Sequence, residues 1–166
     1  RCPGCCNPEM LPAKPATSLR ASALVERFAA VKDDVEGVSF LGGEPTEQAE
    51  GLGVVARSVR AHGKSVMVFS GYTLDELRAQ RSAHVDALLA HTDLLVDGRY
   101  VQEQRTTSRR YIGSTNQVLH FLSDRYRADD PRFAEGNTLE IRLKDGAITV
   151  NGYPIDGALT RIGRAR

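Results

Sequence analysis

The chain has 166 residues, 41% hydrophobic and 26% charged, enough for one globular domain with a buried core. Lys and Arg total 22 against 21 Asp and Glu, so the net charge of +1 leaves neither a basic footprint for nucleic acid nor an acidic solvating tail. No apolar run approaches the ~20 residues of a membrane span and no signal peptide is visible, so the expectation is a cytoplasmic protein with no nucleic-acid or membrane partner.

All three cysteines fall in the opening Arg1-Cys2-Pro3-Gly4-Cys5-Cys6. Cys2 and Cys5 form a C-x-x-C pair around a Pro-Gly turn, which aims both sulfurs at one point. That spacing suits an iron–sulfur cluster, a zinc ion or a redox dithiol. A redox dithiol should open a long helix, which Pro8 and Pro12 oppose. Zinc wants four ligands, and His62, His84, His91 and His120 show no paired ligand spacing. On these residues alone, iron–sulfur ligation, zinc ligation and an incidental pair stay open.

Residues 13–17 are a connector. Thr17 or Ser18 is positioned to cap a helix over 18–32, with Leu24, Val25, Phe28 and Val31 on its apolar face. Gly37 ends the following connection, and Val38 to Leu41 reads as a buried strand, interrupted by Gly42-Gly43-Glu44-Pro45. A helix over 46–61 stops at His62-Gly63. Lys64 to Phe69 is a second strand, ending in Ser70-Gly71-Tyr72-Thr73. Thr73 and Glu76 form a capping box for a short helix through Leu77, and another helix covers 82–91. Asp93 to Val96 is a third strand, ending in Asp97-Gly98. Strands alternating with helices mark a parallel sheet, whose carboxyl ends share one edge, so Glu44, Ser70, Tyr72 and Asp97 should converge.

Beyond Tyr100, residues 101–110 read as an exposed Arg-rich loop in which Arg109 and Arg110 are solvated. Tyr111 to Gln117 is dense in small hydrogen-bonding groups, and 124–137 is a charged linker. Leu139, Ile141 and Leu143, then Ile148 and Val150, alternate with other residues on either side of Asp145-Gly146, a hairpin with a two-residue turn. Residues from 157 onward read as a frayed tail.

Taken in order, Cys2-Pro3-Gly4-Cys5, Gly42-Gly43-Glu44-Pro45, Ser70-Gly71-Tyr72-Thr73, Leu94 to Tyr100 and Gly113-Ser114-Thr115-Asn116-Gln117 resemble the radical S-adenosylmethionine activating proteins of anaerobic ribonucleotide reductase. The resemblance spans residues 1–122. It implies an α/β fold, an incomplete (β/α) barrel of parallel strands without its first strand, followed by the linker at 123–137, a C-terminal β-hairpin at 138–156 and the tail at 157–166. It implies a [4Fe–4S] cluster bound by a C-x3-C-x2-C motif, of which Cys2 and Cys5 match the second and third positions. The first position would lie three residues upstream of Arg1. Cys6 is then a neighbour rather than a ligand. S-adenosylmethionine would meet Gly42, Gly43 and Glu44 at its methionyl amino group, with Glu44 accepting from that group or ordering the loop. Ser70, Gly71 and Tyr72 would form the cofactor rim, Asp97 would hold the ribose or a cation, and Asn116 would close the site or cap a loop. The implied activity is reductive cleavage to a 5′-deoxyadenosyl radical that generates a glycyl radical on the large subunit of anaerobic ribonucleotide reductase. A reduced flavodoxin-type protein is the expected electron donor. The hairpin departs from the short activating proteins and keeps a second reading open, a radical enzyme of the same chemistry acting on another substrate. A third, from a different class, is a non-catalytic iron–sulfur or zinc module, which would not need the glycine-rich loops.

Overall fold

A computed structural model describes residues 17–136, 138–144 and 146–152, together with Pro3. Its centre is a four-stranded sheet in the order β1-β2-β3-β4, with β1 at Gly37–Phe40, β2 at Ser65–Phe69, β3 at Leu94–Asp97 and β4 at Val118–Phe121. The first three are parallel, in register through Phe40↔Val68 and Phe69↔Val96. The crossovers are α1 (Ala21–Val31) leading into β1, α2 (Ala49–Ala61) between β1 and β2, and α3 (Leu74–Ala79) with α4 (Ala83–Ala90) between β2 and β3.

β4 breaks the expectation of parallel strands throughout. It pairs antiparallel with β3, Leu95 opposite His120 and Asp97 opposite Val118. A parallel partner needs a crossover to the far end of the sheet. Residues 98–117 hold only a short 3-10 turn at Gln102–Gln104 and return at the end where β3 finished. Among the described residues the sheet is open, with β1 and β4 as its edges, and no barrel closes.

The sheet is packed on both faces, which explains the nearly continuous apolar runs of β2 and β3. Val38, Phe40, Val66, Val68 and Leu95 face the helices and join Phe28, Val55, Val59, Leu77 and Leu88. Met67, Leu94 and Val96 face the other way and join Ile112 and Tyr126, with Phe69, Leu119, Phe121 and Phe133 against them. The stretch 124–137, read from its charge as a linker, supplies part of this second layer. Its α5 (Pro131–Ala134) carries Phe133, which sits edge-on to Phe121 at 5.1 Å and to Tyr126 at 5.8 Å between centroids. Arg110 is not simply solvated either. Its guanidinium lies 5.2 Å from the Tyr111 ring centre, and Nη1 reaches the Arg132 carbonyl at 3.4 Å and Glu135 at 3.7 Å.

Local expectations hold where a side chain acts on its neighbours. Thr73 and Glu76 make the capping box, and Ser82 caps α4 through the Val85 amide. The helix expected over 46–61 is preceded by a 3-10 turn at Pro45–Gln48, and α2 proper begins at Ala49. α1 starts later than predicted, after Arg20, with no side-chain cap. Thr17 and Ser18 lie too far upstream to reach the first-turn amides. Val31, expected on the apolar face, is exposed at the last turn. Gly37 is the first residue of β1 rather than a connector. A Cβ there would stand 2.2 Å from the Ser65 carbonyl oxygen, so only glycine lets β1 and β2 approach. The hairpin forms as expected from β5 (Leu139–Lys144) and β6 (Ala147–Gly152), with Leu143 opposite Ile148 and Gly146 at φ +76°. Asp145 and the segments 153–156 and 157–166 lie outside the described residues.

At the amino end of β3, Asp93 is fully buried. Its carboxylate accepts from the Val66 amide at 2.9 Å, from Ser123 Oγ and from Arg60, and Arg125 lies 3.7 Å away. Removing the carboxylate leaves the buried Val66 amide without its acceptor, while the two arginines keep partial access to solvent. Asp93→Ala should therefore lower unfolding free energy in urea by about 1–3 kcal/mol.

Burial pushes the Tyr126 phenol above its usual value; Ser65 opposes the shift, while Glu36, which accepts the hydroxyl at 2.7 Å, reinforces it. The raised folded value keeps Tyr126 protonated when the unfolded chain begins to ionise. This contribution to stability is complete below about pH 10 and is lost as pH rises through the folded value. Thermal melts between about pH 9 and 11 should show a steeper alkaline loss in the native protein than in Tyr126→Phe.

Candidate functional site

Because β1, β2 and β3 are parallel, the loops that follow them emerge at one edge of the sheet. Gly42, after β1, has φ +118°, a conformation that favours glycine. The chain then turns through Pro45–Gln48, and the Glu44 side chain swings toward β2. Its Oε1 accepts from the Thr46 amide at 3.0 Å, from Thr46 Oγ1 at 2.7 Å and from Ser70 Oγ at 3.0 Å. Its Oε2 accepts from the Gly71 amide at 2.8 Å. An ionised carboxylate has about four acceptor positions, and here the chain itself fills them. Glu44 thus ties two loops together.

Ser70 is buried, receives the Tyr72 amide on its Oγ at 3.0 Å, and donates its own amide to the Val96 carbonyl at 2.9 Å. The link continues to β3, where the Gly98 amide donates to the Tyr72 carbonyl at 3.2 Å. Gly98 itself adopts φ +93°. From there it passes to the loop before β4. Gln117 Nε2 donates to the Gly98 carbonyl at 2.9 Å, and Asn116 Nδ2 donates to the Arg99 carbonyl at 2.8 Å. Gln117 Oε1 in turn accepts from the Gly113 and Ser114 amides at 3.0 and 3.1 Å. Asn116 is therefore a loop brace.

The structure thus brings Gly42, Gly43, Glu44, Ser70, Gly71, Tyr72, Asp97 and Asn116 to one edge; the strand pattern predicts this for Glu44, Ser70, Tyr72 and Asp97. Asp97 differs in direction. It alternates with Val96 and shares the face of Leu95, so it lies on the helical side of the sheet. Its Oδ2 accepts from the Leu74 amide at 2.6 Å and contacts His120 Nε2 at 2.8 Å. Thr46, Ser114 and His120 serve the edge without having been assigned a role by sequence; Gln117, like Asn116, is expected from sequence to cap a loop or close the site. Thr46 could have been found, since Glu-Pro-Thr is a turn start with a carboxylate in reach. His120 could not, because its partner lies across an antiparallel pair.

Cys2, Cys5 and Cys6 lie outside the described residues. Among the described residues no group of three or more His, Cys, Asp or Glu side chains is placed to hold a metal ion. A cavity of about 250 Å³ lies elsewhere, toward the amino ends of the strands, lined by Glu36, Ser39, Ser65, Met67 and Phe133 among others. Arg110 and Tyr111, from the stretch that follows β3, also line it, but none of the candidate site residues does.

Glu44→Gln would turn one acceptor oxygen into a donor facing other donors. It should cost about 1–3 kcal/mol. Hydrogen exchange at the Gly71 amide should accelerate relative to the β2 amides.

The family described as a 4Fe-4S single cluster domain matches residues 1–120. The chain is 31% identical over 128 residues to the anaerobic ribonucleoside-triphosphate reductase-activating protein of Salmonella typhimurium, covering 73% of this chain and 80% of that protein. Identity and coverage are the same against the protein of that name from Escherichia coli K12. The Vibrio cholerae protein of that name is 37% identical over 89 residues, covering 51% of this chain and 54% of that protein. No solved structure matches. The family match reaches from the cysteine pair through β3 to β4, and with the relatives it establishes that the chain belongs to the 4Fe-4S single cluster domain family, among the anaerobic ribonucleoside-triphosphate reductase-activating proteins.

Proposed function

We propose that the protein is a glycyl-radical-activating enzyme that cleaves S-adenosylmethionine reductively at a [4Fe–4S] cluster and acts on anaerobic ribonucleotide reductase. The observation that carries this reading is the hydrogen-bonded edge at the carboxyl ends of β1, β2 and β3, in a chain whose relatives are named as activating proteins of that reductase. When bound, the cluster supplies one electron to the sulfonium, so that a C–S bond breaks to give methionine and a 5′-deoxyadenosyl radical, which takes the α-hydrogen of a partner glycine and becomes 5′-deoxyadenosine.

The residues present suit these groups. Thiolates such as Cys2 and Cys5 are the usual ligands of iron–sulfur clusters. Gly43 and Arg99 are exposed and Gly42, Gly71 and Tyr72 half-buried, so a small cofactor has access to their backbone. Gly42 and Gly43 carry no side chain that would hold a methionyl amino group away. Ser70, Gly71 and Tyr72 form the rim in this reading, while Glu44 and Asp97 hold the rim in shape and Asn116 braces the Arg99 carbonyl beside it. Rigid placement matters because a displacement of about 1 Å can cost a hundredfold in rate. The open sheet is read as part of an incomplete (β/α) barrel whose interior is the Met67, Leu94 and Val96 face. A reduced flavodoxin-type donor and a cytoplasmic location complete the proposal. No helix among the described residues is long and apolar enough to cross a membrane.

A second reading, the same chemistry on another substrate, is favoured by one observation. The β5–β6 hairpin lies beyond the family match, so it is a module on which a different partner could depend. A non-catalytic metal module would leave the Glu44 link between loops without purpose.

The protein should be reconstituted anaerobically with iron and sulfide, reduced, and given S-adenosylmethionine. Release of 5′-deoxyadenosine and methionine is expected, with loss of cluster absorption and cleavage in Cys2→Ala and Cys5→Ala. Absence of cleavage by cluster-bearing protein would overturn both enzymatic readings. A glycyl doublet in the electron paramagnetic resonance spectrum on mixing with the reductase separates the first from the second.

A further inference from the structure

We propose that His120 is a positioning residue for the Ser70–Gly71–Tyr72 loop, acting through Asp97; this rests on the reading of that loop as the cofactor rim. Because β4 is antiparallel to β3, His120 stands directly opposite Leu95 and two residues along from the partner of Asp97. Side chains at that diagonal share a face and are within reach of one another. His120 Nε2 lies 2.8 Å from Asp97 Oδ2, with the histidine side chain 28% exposed and the aspartate only 6%.

The same oxygen accepts the Leu74 amide at 2.6 Å. That amide opens α3, and the first amides of a helix have no partner within it. Thr73 Oγ1 takes the Glu76 amide, so the Leu74 amide depends on a group from another strand. Leu74 follows Tyr72 and Thr73 directly, and the Tyr72 carbonyl is already held by the Gly98 amide, next to Asp97. The rim loop is therefore pinned by Val96 at its start, by Glu44 in its middle and by Asp97 at its end.

A carboxylate with one donor can turn about its terminal bond; a second donor on the same oxygen fixes its plane. His120 supplies that second donor. Toward an ionised Asp97 the ring must carry its proton on Nε2, as the neutral tautomer or the imidazolium. Hydrogen bonds to a charged acceptor are roughly twice as strong as neutral ones. His120 faces the helical side and does not itself line the rim loops, so its influence passes through Asp97 to the backbone at Leu74.

The test compares the native full chain with His120→Leu, which removes the donor, and His120→Gln, whose amide nitrogen reaches toward the Nε2 position. In His120→Leu the Leu74 amide should exchange hydrogen roughly tenfold faster relative to the Leu77 amide. The KM for S-adenosylmethionine in reductive cleavage should rise roughly tenfold with a smaller change in kcat. His120→Gln should restore both. Unchanged exchange and KM in His120→Leu, or equal damage in His120→Gln, would overturn the proposal, since the latter means that ring packing and not the donor matters. If His120→Leu does not fold, His120→Asn, too short to reach Asp97, is read by the same exchange ratio. Exchange needs neither cluster nor cofactor. A native protein that cleaves no S-adenosylmethionine thus defeats the site reading, while the exchange ratio still decides the role of His120.

Discussion

The carboxylate of Glu44 is the constraint on which the candidate site depends. It belongs to the loop after β1, yet two of its four hydrogen bonds go to Ser70 and Gly71 after β2. Two loops that would otherwise move independently are therefore held at one separation. Once Ser70 and Gly71 are placed, the Tyr72 carbonyl is placed as well, and with it the contact to Gly98 after β3. The amides of Asn116 and Gln117 extend the linkage to the strand that returns. Neighbouring strands are thus joined at this edge by polar bonds in addition to their ladders. In a site where backbone groups must meet a small cofactor, side chains that hold the backbone are as necessary as side chains that touch the ligand.

The opposite edge of the sheet is tied by a different carboxylate. Asp93 is buried without exposure and joins the Val66 amide, Ser123 and two arginines. It closes the amino end of β3 against α2 and against the segment that leaves β4. Acidic groups thus brace both ends of β3, Asp93 at one and Asp97 at the other. The apolar residues Leu94, Leu95 and Val96 between them are buried on both faces. The strand carries its stability in its middle and its connections at its ends.

Asymmetry between the two faces has a physical origin as well. The helical face is covered by crossover elements that any parallel sheet must have. The other face, to which β4 adds Leu119 and Phe121, is covered by Ile112, Tyr126 and Phe133 from the segments on either side of β4. Charged residues surround the aromatic rings there, with Arg132 over Tyr126 and Arg110 over Tyr111 at 5.2 Å each. Guanidinium groups can lie against ring faces while keeping their charges near solvent or carboxylates.

Much of the edge was legible in the chain because its signals are local. Thr73 with Glu76 and Gly42 before Glu44 act within a few residues, and polar loops after apolar runs mark strand ends. What could not be read was who bonds to whom across strands. Charge in 124–137 hid Tyr126 and Phe133, since the residues between them, Arg127 to Arg132, are charged apart from Ala128 and Pro131, and the proline interrupts any helical period. Asp97 was legible as a residue of the site edge but not as a brace, because alternation along β3 and the direction of β4 decide which way it points. The sequence by itself determined the order of the first three strands and their helices, the hairpin, and the loops that meet at one edge, all consequences of short-range periodicity and backbone preference. Only the tertiary structure decided that β4 runs backward, that Glu44 faces Ser70 and that Asp97 meets His120, because those contacts join residues more than twenty positions apart and exist only once the sheet has set their register.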